Sequence, residues 1–292
     1  MVGLDLDLGC GNLNTCLGVR SPGPTINDFI FNRISSLTSA TSSTELSNLF
    51  VVSGAFDSLS NGNLTDGWKN RLLDAIGQLH YSFALMDLAA GASQDVLDFF
   101  LAARERIVVV VPESLSMQNA FVFIKSAIIR LLEQELGRVS YLEPVRDKLQ
   151  EIVSHEEIID LKTLIDRLKE WDRFAGYMVR GIIDDLRIKI VINMYRGGKE
   201  KKYLERFHNL LLRNLYLRNF EYIGVIHFGK KVHQTVQSVR PFMLTHPNDS
   251  VSRDIRELAA RLANQVEDPE PRLRFPDSAW LASLKRARVA RK

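Results

Sequence analysis

The chain has 292 residues, 46% hydrophobic and 25% charged, with 38 lysines and arginines against 35 aspartates and glutamates, a formal net charge of +3. This is ordinary globular composition for one α/β domain with embellishments, and so balanced a charge lacks the basic footprint of a nucleic-acid binder. Cys10 and Cys16 are the two cysteines. Their spacing fits neither a zinc site nor a redox pair, no apolar run approaches the ~18 residues of a membrane span, and no signal peptide opens the chain, which points to a soluble, cytoplasmic protein.

A strand begins at the second residue. Residues 2–8, VGLDLDL, put Leu4, Leu6 and Leu8 on one face and Asp5 and Asp7 on the other. Two acids on one face of an apolar strand need water, a cation or hydrogen-bond donors, so this is either an edge strand with a wet face or part of a charged site. The loop GCGNLNTCLG follows, rich in turn residues. Residues 21–48 read as loops with one or two short helices, 49–53 as a strand, 57–66 as a polar loop, and 67–80 as a helix with Trp68, Leu72, Leu73, Ile76 and Leu79 at helical spacing.

Residues 81–91, YSFALMDLAAG, read as an apolar strand closing on Asp87, then a small-residue turn at Gly91. A helix and a second strand, IVVVV, follow before Pro112. Strands apolar on both faces belong inside a parallel sheet, and their carboxyl ends carry functional groups. Asp87 is at such an end, where a turn or helix-capping aspartate is equally at home.

After Pro112 a long amphipathic helix is predicted, with Ser114 or Ser116 as its cap. Residues 138–185 add more helix than a simple crossover needs: 142–154, a second helix starting near His155 or Glu156, and a third over 171–185. They read as a helical insertion whose charged faces are solvated or serve as a partner-binding antenna. A strand at 187–194 ends near Asn193, a turn former whose amide can also read a base edge. A helix at 200–216, a strand at 222–228, and helices at 230–240 and 250–266 follow, with Ser250 placed to cap the last. Residues 267–271, EDPEP, read as a linker, and 277–292 as a tail with Trp280, Leu281, Leu284 and five basic residues. The expected organisation is one α/β domain over 1–266, with its insertion at about 138–185, then the linker and basic tail over 267–292.

The order of these motifs resembles the MinD/ParA family of deviant phosphate-loop ATPases. VGLDLDLGCGNLNTCLG resembles the family's first-acid segment and YSFALMDLAAGASQDVLDFF its second. Residues 112–125, PESLSMQNAFVFIK, are similar to a stretch of the flagellar-number regulators FlhG and FleN. The resemblance implies a doubly wound, mostly parallel sheet of the phosphate-loop NTPase type. It implies ATP and Mg²⁺ as cofactors, Asp7 orienting the attacking water, Asp5 and Asp87 around Mg²⁺, Gly91 in the switch turn near the γ-phosphate, and Asn193 reading adenine. It also implies an ATP-dependent homodimer, a regulatory protein partner, and a weak contact of residues 277–292 with the inner membrane face. Nucleic acid is not expected as a partner.

Two departures from the family accompany these matches. No G-x-x-x-x-G-K-[ST] occurs in the chain, and Gly197-Gly198-Lys199-Glu200 fails on spacing and on the missing hydroxyl. The first strand and phosphate loop of the family are therefore missing from this sequence, which leads to the expectation that Met1 is an internal start and that these residues alone are inactive. The second departure is Ile226-His227-Phe228-Gly229, where relatives often carry a Pro-Glu-Asp-like turn. The alternative expectation is a non-catalytic interaction scaffold derived from the same fold.

Overall fold

The computed structural model describes residues 1–7, 11–20, 23–54, 65–155, 160–237 and 239–267. Leu8, Cys10, most of the expected polar loop at 57–66, the linker from Asp268 onward and the basic tail lie outside the described residues. The chain divides into two compact units, Met1–Arg104 with Gly229–Ser252, and Glu105–Phe228 with Arg253–Lys292.

The first unit contains β1 (Val2–Leu6), α1 (Leu13–Cys16), α2 (Ile26–Ile30), β2 (Thr41–Ser43), β3 (Phe50–Val52), α3 (Asp66–Gly77), β4 (Ala84–Leu88) and α4 (Gln94–Ala102). Its sheet runs in the order β2-β3-β1-β4. β1 is parallel to both β3 and β4, and only β2 runs antiparallel. The edge-strand reading of β1 is therefore wrong: it has a neighbour on each side, and all five of its residues are buried. Val2, Leu4 and Leu6 join Ile26, Phe29, Leu37, Val52, Leu72 and Phe99 in one core, each such side chain contributing roughly 1.5–3 kcal/mol on burial.

Thr25 and Asp28 form a capping box on α2, and Thr65 caps α3 by accepting from the Trp68 N–H. α3 is tied to α4 by Lys69, a buried cation whose Nζ contacts Asp66, Asp95 and Asp98 at 2.5–3.2 Å. Burial works to lower the Lys69 ammonium, but its hydrogen bonds to these three carboxylates outweigh that and leave it above its ordinary value.

β4 departs from expectation. Its sequence is apolar enough for the interior of a parallel sheet, yet it pairs only with β1 among the described residues, and Leu85 is 49% exposed. The apolar pattern alone could not show how many neighbours the strand would have.

The second unit contains β5 (Ile107–Val110), α5 (Ser114–Gly137), α6 (Glu143–His155), α7 (Leu161–Trp171), α8 (Arg173–Asp185), β6 (Ile188–Tyr195), α9 (Lys201–Asn214) and β7 (Phe220–His227). Its sheet, β5-β6-β7, is wholly parallel. The alternation of strands and helices thus produces the expected α/β class, with its strands distributed over two ladders. α5 packs on β5, α6, α8 and α9. By length and composition this 24-residue helix could cross a membrane, contrary to the expectation of no such run, but Ile124, Ala127, Ile128, Leu132 and Leu136 are fully buried as the spine of this unit's core.

The stretch expected as a helical insertion contains α6, α7 and α8. α7 starts at Leu161 rather than near His155, because Asp160 accepts from the Thr163 N–H and so caps it there; residues 156–159 lie outside the described set. Leu161, Leu164, Ile165 and Leu168 form its buried stripe. Gly176 lets α8 approach α7 closely, since a Cβ there would lie 3.0 Å from the Lys169 Cα.

The remaining helices are α10 (Lys230–Gln237), α11 (Phe242–Thr245) and α12 (Ser250–Glu267). The cap of α12 is Asp249, whose carboxylate accepts from the Val251 N–H, and not Ser250. Further along α12, Leu258 lies against Gly224 of β7, where a Cβ would come within 3.0 Å of the leucine. The Arg261 guanidinium donates to the Ile223 carbonyl on the same strand.

Candidate functional site

The register of β1 and β4 sets Asp5 directly beside Asp87. Paired residues of adjacent parallel strands point to the same face, so two carboxylates stand side by side near the carboxyl ends of these strands. Asp7 follows the end of β1, and its backbone N–H donates to Asp5 Oδ1 at 3.2 Å. The first unit therefore brings together all three acids expected at the site. Gly91 lies three residues past β4 with φ of +101° and no atom within 4 Å of a notional Cβ, so the turn itself requires glycine there.

Asp5 is 1% exposed. Its buried charge is met by two backbone donors, Leu13 N–H at 3.0 Å and that of Asp7. Burial nonetheless raises its pKa above the ordinary 3.8, the two hydrogen bonds opposing this and the charges of Asp87 and Asp7 adding to it. Asp87 is raised by withdrawal from water and by the charge of Asp7. Cys16 also feels this negative field: burial, then Asp87, then Asp5, push its thiol up.

Two glycines shape the space around Asp5. A Cβ on Gly11 would sit 2.5 Å from both Asp5 carboxylate oxygens. One on Gly54 would sit 3.0 Å from the Asp5 carbonyl oxygen and 3.1 Å from that of Asp7. Sequence reading treated Gly11 only as a turn residue and missed Gly54. The signal available was a glycine two residues past the end of β3, in the segment VVSGA.

Carboxylates raised by burial and by neighbouring negative charge suit a hard divalent cation, which binds carboxylate oxygen and offsets that charge. Asp5 and Asp87 are the side chains here with the chemistry Mg²⁺ binds, and both Asp5 oxygens already accept backbone N–H groups. Among the described residues no group of three or more His, Cys, Asp or Glu side chains is arranged to hold a metal. Residues 1–292 contain no G-x-x-x-x-G-K-[ST] run.

Asn193 belongs to the second unit. It sits in β6, two residues before the end of the strand rather than at it. Its Oδ1 accepts from the Met194 N–H at 2.9 Å. Met194 has φ of +57°, a left-handed conformation that a side chain of this kind seldom adopts. Such an outlier marks a backbone held in place by its surroundings. Beyond it, Tyr195 pairs in register with His227 of β7, and the Phe228 N–H donates to the Tyr195 carbonyl at 3.1 Å.

Scans against protein-family models and curated proteins return no match. Solved structures do match. The septum site-determining protein MinD of Pyrococcus horikoshii, complexed with Mg-ADP, aligns with a TM-score of 0.56 at 15% identity over 93% of this chain and 86% of that one. The MinC:MinD cell division complex of Aquifex aeolicus gives 0.54 at 17% identity over 94% and 86%. A ParA family ATPase of Chlorobium tepidum gives 0.54 at 12% over 89% and 84%. At these identities the likeness establishes the fold: this chain has the α/β architecture seen in MinD and ParA structures.

Proposed function

We propose that the chain is an ATP-binding switch of the MinD/ParA kind, in which bound nucleotide governs dimerisation and partner binding in cell positioning or flagellar regulation. The observation that carries this reading is the Asp5–Asp87 pair, two carboxylates in register at the carboxyl ends of parallel strands and both raised above their ordinary values. In this reading Asp5 and Asp87 surround Mg²⁺, Asp7 orients the attacking water, Gly91 forms the switch turn, and Asn193 contacts adenine. The fold match to a MinD complexed with Mg-ADP supports the choice of ligand, and the MinC:MinD complex supports a regulatory protein partner beside a second copy of the chain. The proposal includes one α/β domain over 1–266 with its insertion at about 138–185. It also includes a cytoplasmic protein whose residues 277–292 touch the inner membrane face. That tail lies outside the described residues.

Residues 1–292 lack a phosphate loop, so we expect this stretch by itself to bind nucleotide weakly and to turn over no ATP. The test is a chain extended at its N-terminus by a strand, phosphate loop and helix. Asp7→Ala in that chain should retain ATP binding and abolish hydrolysis. Undiminished hydrolysis rejects the role given to Asp7.

A second reading, a non-catalytic scaffold, is favoured by one observation: α8 exposes Phe174 by 69% and Tyr177 by 62%, one turn apart on the insertion. Exposed aromatics at this spacing form the kind of patch that protein partners cover. Partner binding that is indifferent to nucleotide and abolished by Phe174→Ser with Tyr177→Ser would support the scaffold over the switch.

A further inference from the structure

α8 turns an apolar face to solvent. Along it stand the exposed aromatics Phe174 and Tyr177, the half-buried Met178 and the exposed Gly181. Their spacing, i, i+3, i+4 and i+7, places all four on one side of the helix, away from Ala175, Val179 and Ile183, which are buried. The two glycines of α8 serve different ends. Gly176 is required by α7, because a Cβ there would lie 3.0 Å from the Lys169 Cα. A Cβ on Gly181 would meet no atom within 4 Å. Glycine weakens a helix interior relative to alanine, and no described neighbour of Gly181 needs the space it leaves. The result is a gap the size of a side chain, two turns along the helix from Phe174.

The helix also carries its end charges the wrong way round. Arg173 is its first residue and Asp184 and Asp185 its last two, with no acid in the first turn and no base in the last. The dipole of a helix favours the opposite order, acids at the start and bases at the end. Arg180 binds Asp184 within the helix, while Arg173 and Asp185 are exposed. A second α8 laid antiparallel would correct this, since it brings the acidic end of one helix to the basic end of the other. With a two-fold axis between Tyr177 and Met178, Phe174 of each copy would stand over Gly181 of the other, and Tyr177 over Met178. Arg173 would then come within about 5 Å along the helix axis of Asp185 in the second copy. A parallel pair would instead set like charges side by side.

We propose that α8 is a self-association surface that pairs two copies of this chain antiparallel and needs no nucleotide to do so. This rests on the aromatic patch that favours the scaffold reading above and names what covers it, a second copy of the chain. The charge pattern argues for that occupant, because a face with a basic start and an acidic end is its own complement when reversed. The gap at Gly181 argues for the same, being matched by an exposed aromatic on the very helix that carries it. A contact limited to about three turns of one helix per copy falls below the roughly 1,200 Å² at which specific interfaces begin, so the pairing is weak, with a Kd on the order of 100 µM.

The experiment is sedimentation velocity on the full chain, without nucleotide and with EDTA, from about 5 to about 500 µM so as to bracket that Kd. The unaltered chain should pass from monomer to dimer across this range. Phe174→Ser and Gly181→Gln should each weaken pairing by at least about tenfold. Gly181→Gln places its side chain in open space within one chain and improves helix propensity, so its melting temperature should not fall. Charge exchange gives the decisive readout. Arg173→Glu and Asp185→Arg each set like charges across the pair, yet each suits the helix dipole better than the residue it replaces, so both variants should fold and remain monomeric where the unaltered chain is dimeric. Mixed in equal amounts they should pair again, since each supplies the charge that the other now faces. A chain that stays monomeric throughout the range overturns the proposal, as does a dimer that survives Gly181→Gln or a mixture that fails to restore one. The scaffold reading stands or falls separately, on whether Phe174→Ser with Tyr177→Ser abolishes nucleotide-independent binding of a different protein.

Discussion

β4 and β6 read alike in the sequence and end in different environments. Both are largely apolar runs, each carrying one or two polar residues, the composition expected of a strand inside a parallel sheet. β6 meets that description, with β5 on one side, β7 on the other, and Ile190 and Ile192 fully buried. β4 has β1 as its neighbour among the described residues and leaves Leu85 and Phe83 exposed. β5, paired on one side with β6, likewise leaves Val109 58% exposed. Exposure here goes with having one strand partner among the described residues.

The comparison breaks most sharply at the buried strand. Ile190→Ala should cost about 3 kcal/mol, through lost transfer energy and the cavity left behind. Chemical denaturation measures it, and a loss below about 1 kcal/mol would mean that β6 is less tightly enclosed than described.

Gly11→Ala comes next. The added methyl collides with both Asp5 oxygens, and overpacking of this kind costs roughly 1–3 kcal/mol. It should also displace the carboxylate and so remove any stabilisation by Mg²⁺. An alanine variant with unaltered stability and Mg²⁺ response would show that Asp5 is not confined as the geometry implies.

A smaller effect follows from the titration of Asp5. Its folded pKa is raised, so the stability it contributes is full below the unfolded value near 3.8 and is lost as pH climbs through the raised folded value. Asp5→Asn abolishes that loss, at a pH-independent cost, since Asp7 and Leu13 donate to different carboxylate oxygens and one backbone N–H is left facing the new amide nitrogen. Its stability relative to the unaltered chain should therefore improve as pH rises from about 4 toward neutrality. A difference that is flat or falls with pH contradicts the assignment.

Leu85→Lys should have the least effect on stability, within about 0.5 kcal/mol, since its side chain is half in water. Its consequence should instead be reduced self-association, because a charge on an exposed edge opposes strand pairing. Light scattering on heating distinguishes the two proteins.

Much of the fold could be read from residue patterns. The strand that opens the chain at Val2, the α3 helix with Leu72, Leu73 and Ile76 at helical spacing, and the parallel arrangement implied by alternating strands and helices all depend on local periodicity, which a sequence displays. β2 was not legible, because three polar residues, Thr41, Ser42 and Ser43, carry no strand signal of their own and pair only because β3 is there. Capping of α12 by Asp249 rather than Ser250 turned on which of two adjacent polar side chains faces the helix. At the site, the three acids were visible as acids, but their closeness depended on β1 and β4 being neighbours. The glycines that close around Asp5, and the pairing of His227 with Asp254 across 27 residues, are tertiary facts with no spacing signature.

The most direct test of the central claim is Mn²⁺ binding to the full chain, followed by electron paramagnetic resonance and competed with Mg²⁺. The account predicts one weak site, on the order of millimolar for two carboxylates with water, weakened at least tenfold by Asp87→Asn while the fold is retained. Binding that is unchanged in a folded Asp87→Asn chain would show that the Asp5–Asp87 pair is not a cation site, and the switch reading would lose the observation on which it stands.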